Sequence, residues 1–235
     1  MAKRILSYQN KDFEIAYEYL SNHSDKNMIF LHGWGSNKEL MQSAFKNTFK
    51  AFNHLYIDLP GFGKSANDTI LHTKDYAHII EAFLSLIKID ADVIVGHSFG
   101  GKVAVLLDKE VILLSTAGIL EPKPLKIKLK ILLAKALKTL GIKGNFLRSK
   151  DADNLNSGMY ETFKNVVNED FSSIFANFQK KASIFWGISD RATSLDSGEK
   201  ISKLIKNSRF FALTGDHYFF LNQGKKIEEL FYKDI

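Results

Sequence analysis

Gly96-His97-Ser98-Phe99-Gly100 decides the reading of this chain. The pentapeptide follows a continuous apolar run, Val93-Ile94-Val95, and precedes a helical pattern over Lys102–Leu107. A strand that turns sharply into a helix needs glycine where the backbone closes on itself, because a side chain would clash there. A serine between such glycines is lifted above the sheet edge, beside the N-terminus of the next helix. This is the setting of a nucleophile elbow. Taken alone, the same residues also fit a Gly-rich turn with a helix-capping serine.

Outward from the elbow, short β-like runs alternate with helical ones. Candidate strands are Arg4–Tyr8, Phe13–Leu20, Asn27–Leu31, His54–Asp58, Asp92–Gly96, Val111–Ser115, Ala182–Trp186 and Arg209–Leu213. The third, fifth and sixth are unbroken apolar runs, the pattern of parallel strands covered on both faces. Helical periodicity covers Lys38–Phe52, Thr73–Ile87, Lys102–Leu107, Ser197–Lys206 and Gln223–Tyr232. Such alternation predicts an α/β fold, an eight-stranded and mostly parallel sheet with helices on both faces. The first two strands are separated only by the polar turn Gln9-Asn10-Lys11-Asp12, so they are expected to form an antiparallel edge. Residues 119–181 carry no convincing strand and are too many for one crossover. They read as a small helical cap between strands six and seven, inserted into a core of residues 1–118 and 182–235.

Composition narrows the function. Of 235 residues, 45% are apolar and 25% charged, the balance of a soluble globular protein. A chain of this length buries roughly 70% of its unfolded surface and needs no disulfide or metal to hold a core. It has no cysteine, which excludes thiolate metal sites and a cysteine nucleophile. The histidines show no metal-ligand spacing, so no metal and no cofactor are expected. Residues 1–7 hold no long apolar stretch and no run reaches 18 apolar residues, so no secretory signal is expected, and a cytoplasmic protein that is not transmembrane is the expectation. Gly61-Phe62-Gly63-Lys64-Ser65 has the ending of a P-loop, but Asp58 stands where its first glycine should be.

Four more segments bear on the elbow. Leu31-His32-Gly33-Trp34-Gly35 follows strand three, and Asp58-Leu59-Pro60-Gly61-Phe62-Gly63-Lys64-Ser65 follows strand four. Trp186-Gly187-Ile188-Ser189-Asp190 ends strand seven, and Gly215-Asp216-His217 follows strand eight. With the elbow, these resemble the α/β-hydrolase superfamily over nearly the whole chain. The order Ser98, Asp190, His217 is that superfamily's chain order. The resemblance implies Ser98 as nucleophile, His217 as its base and Asp190 as the acid that orients the imidazole. Asp216 ranks below Asp190, because a sequence neighbour of the histidine usually points elsewhere. The resemblance also makes the backbone N–H groups of Phe99 and Trp34 the oxyanion donors. Trp34, Phe99, Leu129 and Leu133 are the expected walls of the substrate pocket.

From Glu121 to Lys150 nine basic residues face one acid, Glu121. This segment therefore carries +8 of a chain whose net charge is +6. A helix from Pro124 to Leu140, closed by Gly141, would have one leucine-rich and one cationic face. It reads as a lid with a solvated lysine face, or as a docking surface for an acidic partner such as acyl carrier protein. Nothing else in the chain supports nucleic acid as a partner.

The expected activity is that of a serine hydrolase acting on a small-molecule carboxylic ester or thioester. The chain resembles the pimeloyl-carrier-protein methyl ester esterases and the meta-cleavage-product dienoate hydrolases of this superfamily. Hydrolysis of a carbon–carbon bond, as in the 2-hydroxy-6-oxo-dienoate enzymes, is therefore one alternative. A ligand receptor that keeps the triad is another.

Overall fold

The computed structural model describes residues 1–121 and 155–233. The expected helix Pro124–Leu140, with Leu129 and Leu133, lies outside the described residues. Two antiparallel strands open the chain, β1 (Ala2–Tyr8) and β2 (Lys11–Leu20). The loop between them is only Gln9 and Asn10, both with positive φ. A two-residue turn of this hand matches the twist of its strands, which is why they run closer together than the four polar residues suggested.

The remaining strands are β3 (Asn27–Leu31), β4 (Asn53–Ile57), β5 (Val93–His97), β6 (Glu110–Leu114), β7 (Ala182–Gly187) and β8 (Ser208–Leu213). One eight-stranded sheet results, in the order β1-β2-β4-β3-β5-β6-β7-β8. β4 joins β2 antiparallel, and every pairing from β4 to β8 is parallel. β3 lies between β4 and β5, so the chain leaves it in one direction and returns on its other side. Strand order reverses there, and the crevice above such strand ends is where open α/β sheets bind ligands.

Helices α1 (Lys38–Phe45) and α2 (Thr73–Leu86) follow β3 and β4. Next come α3 (Phe99–Ala104), α4 (Ser157–Val167), α5 (Ser172–Asn177), α6 (Leu195–Leu204) and α7 (Gly224–Tyr232). Alternate residues of β5 face opposite layers: Val93 and Val95 join Phe30, Phe45 and Phe220, while Ile94 joins Tyr76, Phe83 and Trp186. Phe30 stacks on Tyr56 at 4.5 Å and on Phe45 at 5.4 Å. Burying such a ring stabilises the fold by roughly 2–3 kcal/mol. Among the described residues, no helix is long and apolar enough to cross a membrane.

Two helix boundaries correct the sequence reading. The periodicity of Lys38–Phe52 continues through Phe49 and Phe52, yet α1 stops at Phe45. Phe49 takes a left-handed φ of 48°, its N–H donates to the Glu228 carboxylate on α7, and its ring meets Phe231. A tertiary contact overrides local propensity here. Conversely, the helix expected at Lys102–Leu107 starts at Phe99 and tightens into a 3₁₀ turn over Val105–Leu107. It is short, as the early start of β6 requires.

Between β6 and β7 the described residues form α4 and α5, both helical as expected. α4 is tied to the elbow's helix through Lys102, which is 2% exposed. Its ammonium donates to the Val166 carbonyl at 2.7 Å and to Glu169 at 3.0 Å, and sits 4.3 Å from the Phe171 ring. Burial pushes Lys102 below the usual lysine range, against the pull of Glu169. Glu169 also accepts from the Thr73 hydroxyl at the start of α2. Glu121, leaving β6, accepts from Ser194 Oγ at 2.5 Å and Ser197 Oγ at 2.6 Å, at the start of α6.

Candidate active site

Ser98 stands between β5 and α3 with φ 49° and ψ −112°. For a residue with a side chain this region costs about 1–3 kcal/mol, and surrounding bonds must enforce it. They do: the Ser98 N–H donates to Leu114 O, and its carbonyl accepts from Gly101 and Ala117. The glycines are steric necessities. A Cβ on Gly96 would lie 2.6 Å from Gly100 O, and one on Gly100 2.4 Å from Leu31 O.

The structure brings Asp190 and His217 together. Asp190 ends a turn after β7, closed by its N–H donating to Gly187 O. The Ser189 N–H donates to Gly215 O, which joins the loops after β7 and β8. His217 Nδ1 donates to Asp190 Oδ2 at 2.8 Å. Asp190 also accepts from the N–H groups of Ala192 and Thr193 and from Thr193 Oγ1. Burial opposes its ionisation, but the His217 and Thr193 donors outweigh that and hold the carboxyl at about 2. Asp216, ranked below Asp190 in the sequence, accepts from the Tyr218 N–H.

His217 lies beside the elbow. Its carbonyl accepts from His97 Nε2 at 3.0 Å, and the two rings are 4.7 Å apart. With Nδ1 donating to Asp190, Nε2 is the basic nitrogen of the ring. Burial and the neighbouring His217 push His97 down to about 3, so it is neutral.

Gly33 packs directly against the elbow, since a Cβ there would lie 2.8 Å from His97 Nδ1 and 3.2 Å from Ser98 Cβ. His32 is buried and held down at about 4 by that burial. Its Nε2 accepts from the Leu59 N–H at 3.0 Å, so Nδ1 carries the proton and donates to Gly33 O at 2.8 Å. Asp58 anchors the same loop from below. It accepts from the Lys38 N–H at 2.8 Å, Lys38 Nζ at 2.7 Å and the Lys64 N–H at 3.0 Å. The Asp-Leu-Pro-Gly-Phe-Gly-Lys-Ser segment is thus a wrap around one buried carboxylate.

Trp34 and Phe99 meet edge to face at 5.5 Å. Trp34 follows Gly33, which packs on Ser98, and Phe99 follows Ser98 in the chain. The Phe99 N–H is the first of its helix, one of the donors without an intrahelical acceptor. Trp34 also packs on Phe62 at 4.8 Å and on Phe163 of α4 at 5.3 Å. Phe163 and Thr193 were not singled out in the sequence. The only hints were an aromatic on the inner face of a helix and a threonine three residues after an aspartate. Among the described residues no group of acidic or histidine side chains could hold a metal ion.

Comparison with known proteins agrees with this fold. A sequence model described as the alpha/beta hydrolase family matches residues 28–187. A pimeloyl-[acyl-carrier protein] methyl ester esterase of Pseudoalteromonas atlantica is 34% identical over 101 residues, 40% of this chain and 38% of that protein. A 2-succinyl-6-hydroxy-2,4-cyclohexadiene-1-carboxylate synthase of Citrobacter koseri is 36% identical over 80 residues, 34% of this chain and 31% of that protein. The matched stretches therefore span less than two fifths of either relative. A thermophilic esterase from Thermogutta terrifontis superposes with a TM-score of 0.73 at 15% identity, covering 99% of this chain and 97% of that one, a likeness of fold.

Proposed function

This chain belongs to the alpha/beta hydrolase family, and from that premise we propose that it hydrolyses a carboxylic ester or thioester through an acyl-Ser98 intermediate. The observation that carries this reading is the 2.8 Å bond from His217 Nδ1 to Asp190 Oδ2 beside a serine held in a strained elbow. A serine hydroxyl is a weak nucleophile at neutral pH and needs an adjacent base. His217 Nε2 takes the Ser98 proton as Oγ attacks the substrate carbonyl. Asp190 stabilises the imidazolium that forms. The N–H groups of Trp34 and Phe99 receive the developing oxyanion, each such donor contributing about 3 kcal/mol. His217 then protonates the leaving alcohol or thiol. A water activated by the same imidazole releases the acid and restores Ser98. No cofactor enters these steps.

Trp34, Phe62, Phe99 and Phe163 favour an apolar acyl group. α4, whose Phe163 packs on Trp34, serves as part of a cap over the site. The basic stretch from Glu121 to Lys150 would meet an acidic carrier of the acyl chain, as the name of the Pseudoalteromonas relative suggests. A cytoplasmic location goes with such a partner. The test is initial rates on p-nitrophenyl esters of increasing acyl length, for wild type and Ser98→Ala. Turnover abolished in Ser98→Ala supports the reading, and the length optimum sizes the pocket. Absence of turnover in the wild type would overturn it.

A further inference from the structure

We propose that Thr193 is a positioning residue for the Asp190–His217 pair, fixing the plane of the carboxylate and sharing the oxygen that faces the imidazole. The proposal rests on the serine-hydrolase reading above.

Thr193 lies in the loop between β7 and α6. Its N–H donates to Asp190 Oδ1 at 3.0 Å, and its hydroxyl lies 2.9 Å from Oδ2. Oδ2 is the same oxygen that accepts from His217 Nδ1, and the hydroxyl is 3.4 Å from that nitrogen. One residue therefore grips both carboxylate oxygens, and two donors converge on Oδ2.

The hydroxyl has one proton and two acceptors within reach, Asp190 Oδ2 and the Ser115 carbonyl at 3.2 Å. The carboxylate is both nearer and charged, and charge-assisted bonds are the stronger ones. Thr193 is itself pinned, because its carbonyl accepts from the indole N–H of buried Trp186 at 3.0 Å. A second donor on Oδ2 withdraws charge from it and keeps the shared proton on Nδ1. It also stops the carboxylate from rotating when the imidazole becomes charged. Among the described residues, the titratable groups facing Asp190 are His217 after β8, His97 at the end of β5 and Glu121 after β6. Arg191 beside it is exposed.

Thr193→Val removes the hydroxyl at constant shape, and Thr193→Ser retains it. On p-nitrophenyl esters, Thr193→Val should lower kcat roughly tenfold with KM nearly unchanged. The acid-side fall of its kcat/KM should move to higher pH, because an unshared Oδ2 holds the imidazole proton harder. Thr193→Ser should restore both. A merely structural threonine would leave the pH profile in place.

The second readout needs no substrate. The low-field proton NMR signal of His217 Nδ1–H, assigned by its loss in His217→Gln, should move further downfield in Thr193→Val and return in Thr193→Ser. If the wild type hydrolyses no ester, the serine-hydrolase reading fails and the NMR signal alone judges Thr193. An unmoved signal in Thr193→Val, or an unmoved pH profile where turnover exists, overturns the proposal.

Discussion

His97 donates from Nε2 to the carbonyl of His217 at 3.0 Å, so the residue before Ser98 holds the backbone of the residue bonded to Asp190. Its other nitrogen, Nδ1, is buried with no hydrogen-bond partner among the described residues and abuts Gly33. One neutral ring thus touches the elbow, the histidine loop and the glycine segment together.

Breaking that link should separate activity from fold. His97→Gln keeps an N–H donor near the position of Nε2 and should retain most of kcat. His97→Leu loses it and should fall by roughly tenfold. Steady-state rates of the two variants side by side decide it, and equal rates would show that the bond does not matter.

Strain at Ser98 should be measurable as stability. Glycine tolerates a φ of 49° with a ψ of −112° far better than serine does. Ser98→Gly should abolish hydrolysis while stabilising the fold by about 1 kcal/mol, raising Tm by a few degrees. A melting temperature at or below that of the wild type would speak against stored strain.

Three buried histidines set the response to acid. Burial holds His32 and His54 at about 4 and His97 at about 3. Each is depressed in the folded state, so the unfolded chain binds more protons as pH drops below about 6.5. Stability therefore falls from that pH to about 4 for His32 and His54 and to about 3 for His97, on the order of 2 kcal/mol per site, and levels off below the folded values. Asp190, held at about 2, adds a separate loss below about pH 4. Urea denaturation midpoints should drop steeply between pH 7 and 4, and a flat midpoint over that range would refute the assignment.

The Lys102–Glu169 pair should behave as a coupled unit. Glu169→Gln leaves a buried ammonium without its counter-charge and should cost about 2–3 kcal/mol, below the range for a fully buried pair because Glu169 is partly exposed. Lys102→Met on top should cost less than the sum of the single changes. A double-mutant cycle by chemical denaturation measures the coupling, and strict additivity would show none.

Much of the fold was legible because it is carried by local pattern. The apolar run Asn27–Leu31 is β3 to the residue, and the elbow reads directly from two glycines around a serine. The order Ser98, Asp190, His217 pointed to three loops that the sheet does place at its carboxyl edge, two of them bonded to each other. The overrun of α1 had a different cause. Phe49 and Phe52 keep the helical period, and only Glu228, 179 residues from Phe49, reveals that the chain turns away. Thr193 was invisible for a similar reason. A threonine in a polar loop has no periodicity, and its meaning lies in the oxygen it shares with a histidine 24 residues on.

The anchors at Glu121 and Glu169 also define how this protein could be recombined with its relatives. Each carboxylate belongs to the chain between β6 and β7 but is satisfied by residues outside it, Ser194 and Ser197 for one, Lys102 and Thr73 for the other. A chimaera cut inside these two positions leaves both anchors with the host and exchanges only what lies between them. A chimaera cut outside them strands Lys102, four residues from Ser98, without its partner. Crossover points for altering specificity are thus set by two glutamates rather than by the ends of β6 and β7.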